Sequence, residues 1–386
     1  MGLGGNYAGG AGGVGARLKL EEPLVSMAAR VSEPPEGPRR PNGTPPRAVA
    51  AGGGESLEVA IPLDIAFVNL MPDTAFLDTE EQFLGLTWDA AGQIGVPLRI
   101  RRFWMRGVPR GAAVMRRIDQ SYFEIESLIG SQVDALMVTG TEPRTANLDD
   151  EEFWPALAEL IEWSAEAVPS VLLSCLASHA AAKLFDGVER TLLPEKLSGV
   201  YPTRAARGEM LAEGLPSPIR LPHSRSNDIP ASELECRGYR RLLSSGEQWA
   251  AMELERSRAR FLMFQGHPEY GPNSLLREHR RDVRRYLNGE RESYPPLPEG
   301  YLDDAGLQLL QEFACLPTTI ARVPASIVGF PMEAVEPHIL PRWRAPAERL
   351  YSNWLTQVME RRSDSDRVGH LPVPASPVFE EVSAGA

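Results

Sequence analysis

The chain has 386 residues, of which 43% are hydrophobic and 24% charged, enough apolar material for a substantial core. Its formal net charge of −12 argues against a nucleic-acid binder, because such proteins usually present a basic face. Its three cysteines are far apart and odd in number, which fits a reducing compartment better than a disulfide framework, and no metal-binding spacing occurs. Neither a membrane-spanning run nor a signal peptide is visible, so we expect a cytoplasmic protein without a membrane partner.

The first 60 residues are rich in glycine, proline and alanine, and this composition predicts a disordered segment. Within it, the run from Gly10 to Gly15 has the spacing of a dinucleotide-binding fingerprint. That fingerprint requires a preceding strand and a following helix, and the pattern predicts neither here. We therefore interpret the glycine run as coincidental.

Strands and helices are predicted to alternate from residue 61 onwards. Residues 63–70 are almost continuously apolar, which is typical of a strand buried on both faces. Further elements are predicted as strands at 96–103, 133–138, 171–174 and 260–264, and as helices starting at Asp78 or Thr79 and covering 150–165, 176–185, 273–287 and 348–361. This alternation indicates an α/β fold with a largely parallel sheet covered by helices on both faces.

Other stretches have a different texture. Shorter strand-like runs with many polar residues, which suggest partly antiparallel additions to the sheet, lie at 192–204, 221–228 and 239–254. Residues 289–342 are rich in proline and are interpreted as an insertion of uncertain order, and residues 362–386 as a disordered tail. The predicted organisation is one domain over residues 61–361, flanked by two disordered tails.

A cysteine stands where an apolar strand-like run meets an alanine-rich helix-like run. Cys175 follows residues 171–174 and precedes residues 176–185. A residue at such a join is exposed at the carboxyl edge of a parallel sheet, and the first amides of the following helix favour a thiolate. Cys175 is therefore a candidate nucleophile, and the alternative is a buried cysteine that acts as a small hydrophobe.

The strand predicted at 260–264 ends in a second reactive pair, His267 and Glu269. In an extended turn, residues at i and i+2 project to the same side, so the carboxylate can bind one imidazole nitrogen and leave the other free as a base. Together with Cys175 this makes a nucleophile, a base and an orienting acid. The alternative is a capping histidine beside a surface acid.

Short motifs in a characteristic order between residues 63 and 361 carry a family resemblance. They are Asn69-Leu70-Met71-Pro72, Thr79-Glu80, Gln82-Phe83-Leu84, Val138-Thr139-Gly140, Trp154-Pro155, Glu162-Trp163-Ser164, Cys175, Glu195-Lys196-Leu197-Ser198-Gly199-Val200-Tyr201, Pro222-His223-Ser224-Arg225, Gly266-His267-Pro268-Glu269-Tyr270, Arg281-Asp282-Val283 and Asn353-Trp354-Leu355. With these motifs the chain resembles the homoserine O-acyltransferases, namely the homoserine O-succinyltransferases and their acetyl-using relatives. The resemblance implies a class I glutamine-amidotransferase-like (flavodoxin-like) fold.

The resemblance implies a role for each matching residue. Cys175 corresponds to the nucleophile that forms an acyl-thioester, His267 to the proton acceptor and Glu269 to the residue that orients it. The implied substrate-binding residues are Lys196, Ser224 and Arg281. A guanidinium suits the carboxylate of an amino-acid substrate. Without the resemblance, these three would be interpreted as a surface lysine, a turn-capping serine and a solvated arginine.

Two other histidines lie near these motifs. His179 is four residues after Cys175 on the same predicted helix, but the resemblance gives it no catalytic role. We interpret it as a packing or surface histidine. His223, next to Ser224, is a candidate for the pocket lining without a role in proton transfer.

One loop departs from the family pattern. In the family, the loop after the Thr-Gly pair contributes to the oxyanion hole and selects the acyl donor, with glycine for succinyl-CoA and glutamate for acetyl-CoA. The selecting position here is Arg144, and it follows Pro143, which has no N–H to donate. The Leu176 N–H remains as an oxyanion donor. Two interpretations of Arg144 stay open: it pairs with the carboxylate of a succinyl group, which we favour, or it shapes the pocket for another acyl group.

These expectations combine into an acyl-CoA-dependent O-acyltransferase that transfers a succinyl group, or less favourably an acetyl group, to the hydroxyl of L-homoserine in methionine biosynthesis. Acyl-CoA would be a co-substrate, no cofactor would be bound permanently, and the resemblance implies a homodimer. Three alternatives stay open: acylation of L-serine or another hydroxy amino acid, a glutamine amidotransferase-type hydrolase, and a catalytically silent binding or regulatory protein on the same fold.

Overall fold

The computed structural model describes residues 61–319, 327 and 329–366, and the predictions of disorder for 1–60 and for 367–386 lie outside these residues. The strands are β1 Leu63–Val68, β2 Leu98–Trp104, β3 Phe123–Glu124, β4 Ala135–Val138, β5 Ser170–Ser174, β6 Thr191–Ala205, β7 Ile219–Asp228, β8 Arg240–Ser245, β9 Gln248–Arg256 and β10 Ala259–Phe264. The α-helices are α1 Phe76–Ile94, α2 Ala112–Ser121, α3 Trp154–Ala167, α4 Leu176–Asp186, α5 Ala231–Glu235, α6 Ser274–Leu287, α7 Asp304–Thr319, α8 Met332–Val335 and α9 Arg344–Asp366.

The strands form one mixed sheet in the order β3-β2-β1-β4-β5-β10-β9-β8-β6-β7. The first six of these strands are mutually parallel. The other four extend the sheet in antiparallel fashion. The predicted fold class, a largely parallel sheet with partly antiparallel additions, is therefore confirmed.

Helices cover both faces of the parallel part of the sheet. Side chains of a strand point alternately to opposite faces, so each strand contributes to two cores. In β1, Ile65 and Phe67 pack into a core with α1 and α9. Ala66 and Val68 pack on the other face with α3 and α4. Every residue of β1 is buried, which explains its nearly continuous apolar sequence.

Several helices differ from the sequence prediction. The helix α1 begins at Phe76, before the predicted caps, because the Ala75 N–H closes a turn onto the Pro72 carbonyl at 2.9 Å. The helices α2, α5, α7 and α8 were not predicted. The helix α7 lies inside the proline-rich stretch, where its residues Leu310 and Phe313 join a core with α6. The helix α9 extends through Asp366, so residues 362–366 belong to a helix and not to the tail.

No α-helix in the described ranges is long and apolar enough to cross a membrane.

Gly107 packs closely against the backbone of Glu152, in the segment that precedes α3. Gly107 and Gly130 share a φ of +86°, but a Cβ at Gly107 would lie 2.5 Å from the backbone oxygen of Glu152, whereas Gly130 has open space. Both alanine variants carry the conformational strain of a positive φ, of about 1–3 kcal/mol. We expect Gly107→Ala to lower the free energy of unfolding by about 1–3 kcal/mol more than Gly130→Ala, because it adds a backbone clash. Urea denaturation of both variants checks this, and equal losses would contradict the close approach.

Candidate active site

Cys175 occupies a strained turn between β5 and α4. Its φ of 49° and ψ of −110° are unfavourable for a residue with a side chain, so the surrounding structure has to hold it. The Cys175 N–H donates to the Phe264 carbonyl at 2.7 Å, and the Gln265 side-chain amide donates to the Cys175 carbonyl at 2.8 Å. Both contacts come from the end of β10. The turn leaves the thiol partly exposed at the carboxyl edge of the sheet.

The loop after β4 passes directly beside this turn. A Cβ at Gly140 would lie 3.1 Å from the Cys175 Cβ and 3.3 Å from the Leu176 nitrogen, so a larger residue would crowd the nucleophile. The Leu176 N–H is in the first turn of α4, where helix amides lack intrahelical partners. This amide is therefore suitably placed to stabilise negative charge that develops beside Cys175.

His267 and Glu269 form the predicted pair. The His267 Nδ1 and the Glu269 Oε1 are 2.7 Å apart, and both side chains are buried. The ring of Tyr270 stacks on the imidazole with centroids 4.3 Å apart. The His267 N–H donates to the Pro222 carbonyl at 2.7 Å, which ties this turn to β7. The imidazole is thus fixed by a carboxylate, a ring and the backbone.

The charge state of His267 follows from these neighbours. Burial by itself would lower the pKa of His267, but the charge of Glu269 and the interaction with Cys175 outweigh it and raise the pKa to about 10. The other ring nitrogen, Nε2, is buried and has no hydrogen-bond partner among the described residues. The side chain is therefore protonated at neutral pH, and its free nitrogen is available to a reacting group.

A second cluster lies next to this pair and is centred on Glu278 of α6. One Glu278 oxygen accepts hydrogen bonds from the Ser224 hydroxyl and from the Lys196 ammonium, the latter at 3.4 Å. The other accepts from the Tyr270 hydroxyl at 2.7 Å, so Tyr270 contacts both His267 and this cluster. Burial by itself would raise the pKa of Glu278, but the charge of Lys196 and the other donors lower it below the ordinary value.

The remaining predicted binding residue joins the same cluster. The Arg281 Nε donates to Asp282 Oδ1 at 3.3 Å, and the Lys196 ammonium donates to Asp282 Oδ2 at 2.7 Å. The Arg281 guanidinium is also 3.8 Å from the carboxylate of Glu142. The structure therefore brings Lys196, Ser224 and Arg281 together, and each of them is engaged by an internal carboxylate.

The loop that carries Arg144 is held by a buried carboxylate. Glu151 Oε1 accepts hydrogen bonds from the Arg144 N–H at 2.5 Å, the Thr145 N–H at 2.7 Å and the Thr145 hydroxyl at 2.8 Å. The Arg144 side chain is exposed and forms no ion pair with a described residue. Because Glu151 occupies the Arg144 amide, that amide does not face the thiol as a free donor.

His223 and His179 are both buried. The Arg225 guanidinium donates to His223 Nδ1 at 2.6 Å, and burial together with that positive charge lowers the pKa of His223 well below its ordinary value. His179 packs edge-on against Trp249 with ring centroids 6.3 Å apart. Both therefore stay neutral at neutral pH, and neither has the carboxylate partner that His267 has.

Sequence reasoning missed several members of this site. They are Glu142, Glu151, Tyr270 as a stacking partner, Glu278 and Asp282. A partial signal was present in the sequence. Arg281 and Asp282 follow Glu278 by three and four residues, so each of them neighbours Glu278 on the surface of a helix. No comparable signal indicates that Glu151 reaches back to residue 144.

The chain is similar to known proteins of one family. Residues 55–364 match a model of the family described as homoserine O-succinyltransferase. The chain is 41% identical over 303 residues to a homoserine O-succinyltransferase of Methylorubrum extorquens, covering 78% of this chain and 88% of that one. It is 39% identical over 293 residues to one of Rhodopseudomonas palustris, covering 76% and 87%. A solved glutamine amidotransferase of Thermotoga maritima is 14% identical and aligns over 77% of this chain and 98% of its own, with a TM-score of 0.42.

The buried His179 predicts acid sensitivity of the fold. Burial and the charges of Arg225 and Arg190 lower the pKa of His179 to about 3, below the ordinary 6.5 of an unfolded chain. Below pH 6.5 the unfolded chain therefore binds a proton that the folded chain does not, so this stability is present above 6.5 and is lost as the pH falls towards 3. At pH 5 the loss is about 2 kcal/mol.

The check is the change in unfolding free energy between pH 7 and pH 5. The variant His179→Gln removes the titrating group, so its change should be about 2 kcal/mol smaller than that of the native chain, whatever its absolute stability. Parallel pH dependences of the two proteins would show that His179 does not titrate in this way.

Proposed function

The chain belongs to the homoserine O-succinyltransferase family, and from this premise we propose that it transfers a succinyl group from succinyl-CoA to the hydroxyl of L-homoserine. The observation that carries the proposal is the strained turn at Cys175 beside the buried pair of His267 and Glu269. Such a turn presents a nucleophile, and the pair supplies an oriented acid and base. The family relationship supplies the identity of the substrates.

In the first half-reaction, the thiolate of Cys175 attacks the carbonyl carbon of the thioester. The protonated His267 stabilises that thiolate, which is the reactive form of a cysteine. The tetrahedral oxyanion is stabilised by the Leu176 N–H at the start of α4. When the intermediate collapses, the bond to the sulfur of coenzyme A breaks, and His267 gives its proton to that leaving thiolate. The products are an acyl-thioester on Cys175 and free coenzyme A.

In the second half-reaction, His267 acts as a base. Acylation removes the negative charge from the sulfur of Cys175, so one of the interactions that raise the pKa of His267 is lost. The neutral imidazole takes the proton of the homoserine hydroxyl as its oxygen attacks the thioester. Collapse of this second intermediate expels the Cys175 thiolate and regenerates the starting pair of charges. Glu269 orients the ring throughout without transferring a proton.

The acceptor is proposed to lie against the cluster around Glu278. The Arg281 guanidinium is 30% exposed and suits a planar, two-point contact with the α-carboxylate of the amino acid. The ammonium group of the acceptor requires a carboxylate partner. We assign this role to Glu278, whose pKa is lowered and which contacts both Ser224 and Lys196. Because Tyr270 connects Glu278 to His267, an acceptor held here would have its hydroxyl close to the base.

The triad is tested by three substitutions with succinyl-CoA and L-homoserine as substrates. Cys175→Ala should abolish transfer, because it removes the nucleophile. His267→Ala should lower kcat by several orders of magnitude, and Glu269→Gln should lower it less, since that residue orients the imidazole and does not transfer the proton.

A suitable control is His223→Gln, which removes the other buried histidine that lies beside His267 and leaves the triad intact. Its kcat should exceed that of His267→Ala by orders of magnitude. Near-native turnover by Cys175→Ala would rule out the covalent mechanism.

The choice of acyl donor is proposed to depend on Arg144, whose exposed guanidinium can pair with the distal carboxylate of a succinyl group. A charge-assisted hydrogen bond contributes about 1.5–3 kcal/mol, or about one to two decades in specificity. Arg144→Ala should therefore lower kcat/KM for succinyl-CoA by about that factor and leave acetyl-CoA nearly unchanged, because the acetyl group has no carboxylate.

Arg258→Ala is the matched control, since Arg258 is an exposed arginine just before β10, at the other end of that strand from His267. Arg258→Ala should leave kcat/KM unchanged for both succinyl-CoA and acetyl-CoA. Equal losses for both donors in Arg144→Ala would assign Arg144 to the stabilisation of the oxyanion, because that charge forms with either acyl group.

A further inference from the structure

Glu142 holds two arginines of the helix α6. One of its carboxylate oxygens accepts a hydrogen bond from Arg285, and the other is 3.8 Å from the guanidinium of Arg281. Glu142 is two residues after Gly140, where an added Cβ would lie 3.1 Å from the Cys175 Cβ, so Glu142 belongs to the loop that passes beside the nucleophile. The side chain of Glu142 therefore connects the loop beside Cys175 to the face of α6 that carries the proposed acceptor site.

The carboxylate of Glu142 is ionised. Burial by itself would raise its pKa, but the hydrogen bond from Arg285 and the charges of Arg281 and Arg285 lower the pKa below the ordinary value. At neutral pH the free protein thus holds a full negative charge against Arg281. Its side chain is 38% exposed, so it borders solvent.

Three carboxylates act on the Arg281 guanidinium, and they differ in how firmly they are held: Asp282 and Glu142 pair with it, and the charge of Glu278 raises its pKa. Asp282 is bound by Lys196 at 2.7 Å and is 7% exposed. Glu278 is bound by Ser224, Tyr270 and Lys196. Glu142 is paired only with Arg281 and Arg285 among the described residues. It is therefore the carboxylate that can leave Arg281 at the lowest cost.

A ligand carboxylate that binds Arg281 would lie next to the carboxylate of Glu142, which has the same charge and pairs with the same guanidinium. Two carboxylates that share one guanidinium repel each other, and each weakens the binding of the other. An acceptor without a carboxylate would not experience this competition. The effect of Glu142 should therefore depend on the chemistry of the acceptor and not on the acyl donor.

We propose that Glu142 competes with the carboxylate of the amino-acid acceptor for Arg281 and thereby sets the affinity for that acceptor. The proposal rests on the proposed function, in which Arg281 binds the acceptor's carboxylate. Glu142 is a specificity-determining residue that acts through Arg281, and it takes no part in the transfer of protons or of the acyl group.

The test uses the full chain with Glu142→Gln, which keeps the shape of the side chain and removes its charge. The matched control is Asp78→Asn, because Asp78 is a similarly exposed carboxylate that pairs with Arg277, one turn before Arg281 on the same helix. Two compounds that would occupy the acceptor site are compared at saturating succinyl-CoA. L-homoserine is the substrate, and 3-amino-1-propanol, which is L-homoserine without the carboxylate, is measured as a competitive inhibitor.

Glu142→Gln should lower the KM for L-homoserine by about two- to fivefold with little change in kcat, because a partly exposed ion pair is weak. The inhibition constant of 3-amino-1-propanol should not change, and Asp78→Asn should alter neither constant. An unchanged or higher KM for L-homoserine, or equal shifts for both compounds, would overturn the proposal. Failure of the proposed function would show differently, as a native chain that transfers no succinyl group to L-homoserine.

Discussion

The site depends on the parallel pairing of β5 with β10. In that register Ser174 lies beside Phe264, so both strands end at the same level of the sheet. The Cys175 N–H then reaches the Phe264 carbonyl at 2.7 Å, and the residues that follow each strand emerge side by side. Because ligands bind at the carboxyl ends of parallel strands, this pairing brings a cysteine and a histidine from distant parts of the chain to one edge. The antiparallel strands β6 and β7 add Lys196 and Ser224 to that edge.

Charge compensation is the second constraint. The protein carries a net charge of −12, yet the edge around α6 concentrates Lys196, Arg281 and Arg285. Burying a charge is costly unless it is paired, and here Glu278 and Asp282 neutralise the largely buried Lys196. Glu142, which borders solvent, pairs with the partly exposed Arg281 and Arg285. An amino acid carries both a cation and an anion, so it can exchange with such pairs without leaving a net charge behind. An apolar pocket would not bind such a molecule in this way.

Local patterns were sufficient to predict the parallel sheet and the places of Cys175, His267 and Glu269. Each lies where a buried apolar strand ends, and the i, i+2 spacing alone places the carboxylate beside the imidazole. The short helix α2 escaped prediction because only Val114 and Ile118 are buried in it. The contact of Glu151 with the amide of residue 144 and that of Glu142 with α6 could not be predicted, since they depend on how a loop packs in three dimensions. The family resemblance, and not spacing, pointed to Lys196, Ser224 and Arg281.

The central claim is that Cys175 carries the acyl group. It is tested most directly by mass spectrometry of the native chain after incubation with succinyl-CoA and no acceptor, followed by peptide mapping. The other two cysteines, Cys236 and Cys315, are exposed and serve as internal controls for nonspecific acylation. The account predicts one succinyl group, on Cys175 alone, that disappears when L-homoserine is added. A chain that stays unmodified, or a label on Cys236 or Cys315 that L-homoserine does not remove, would contradict it.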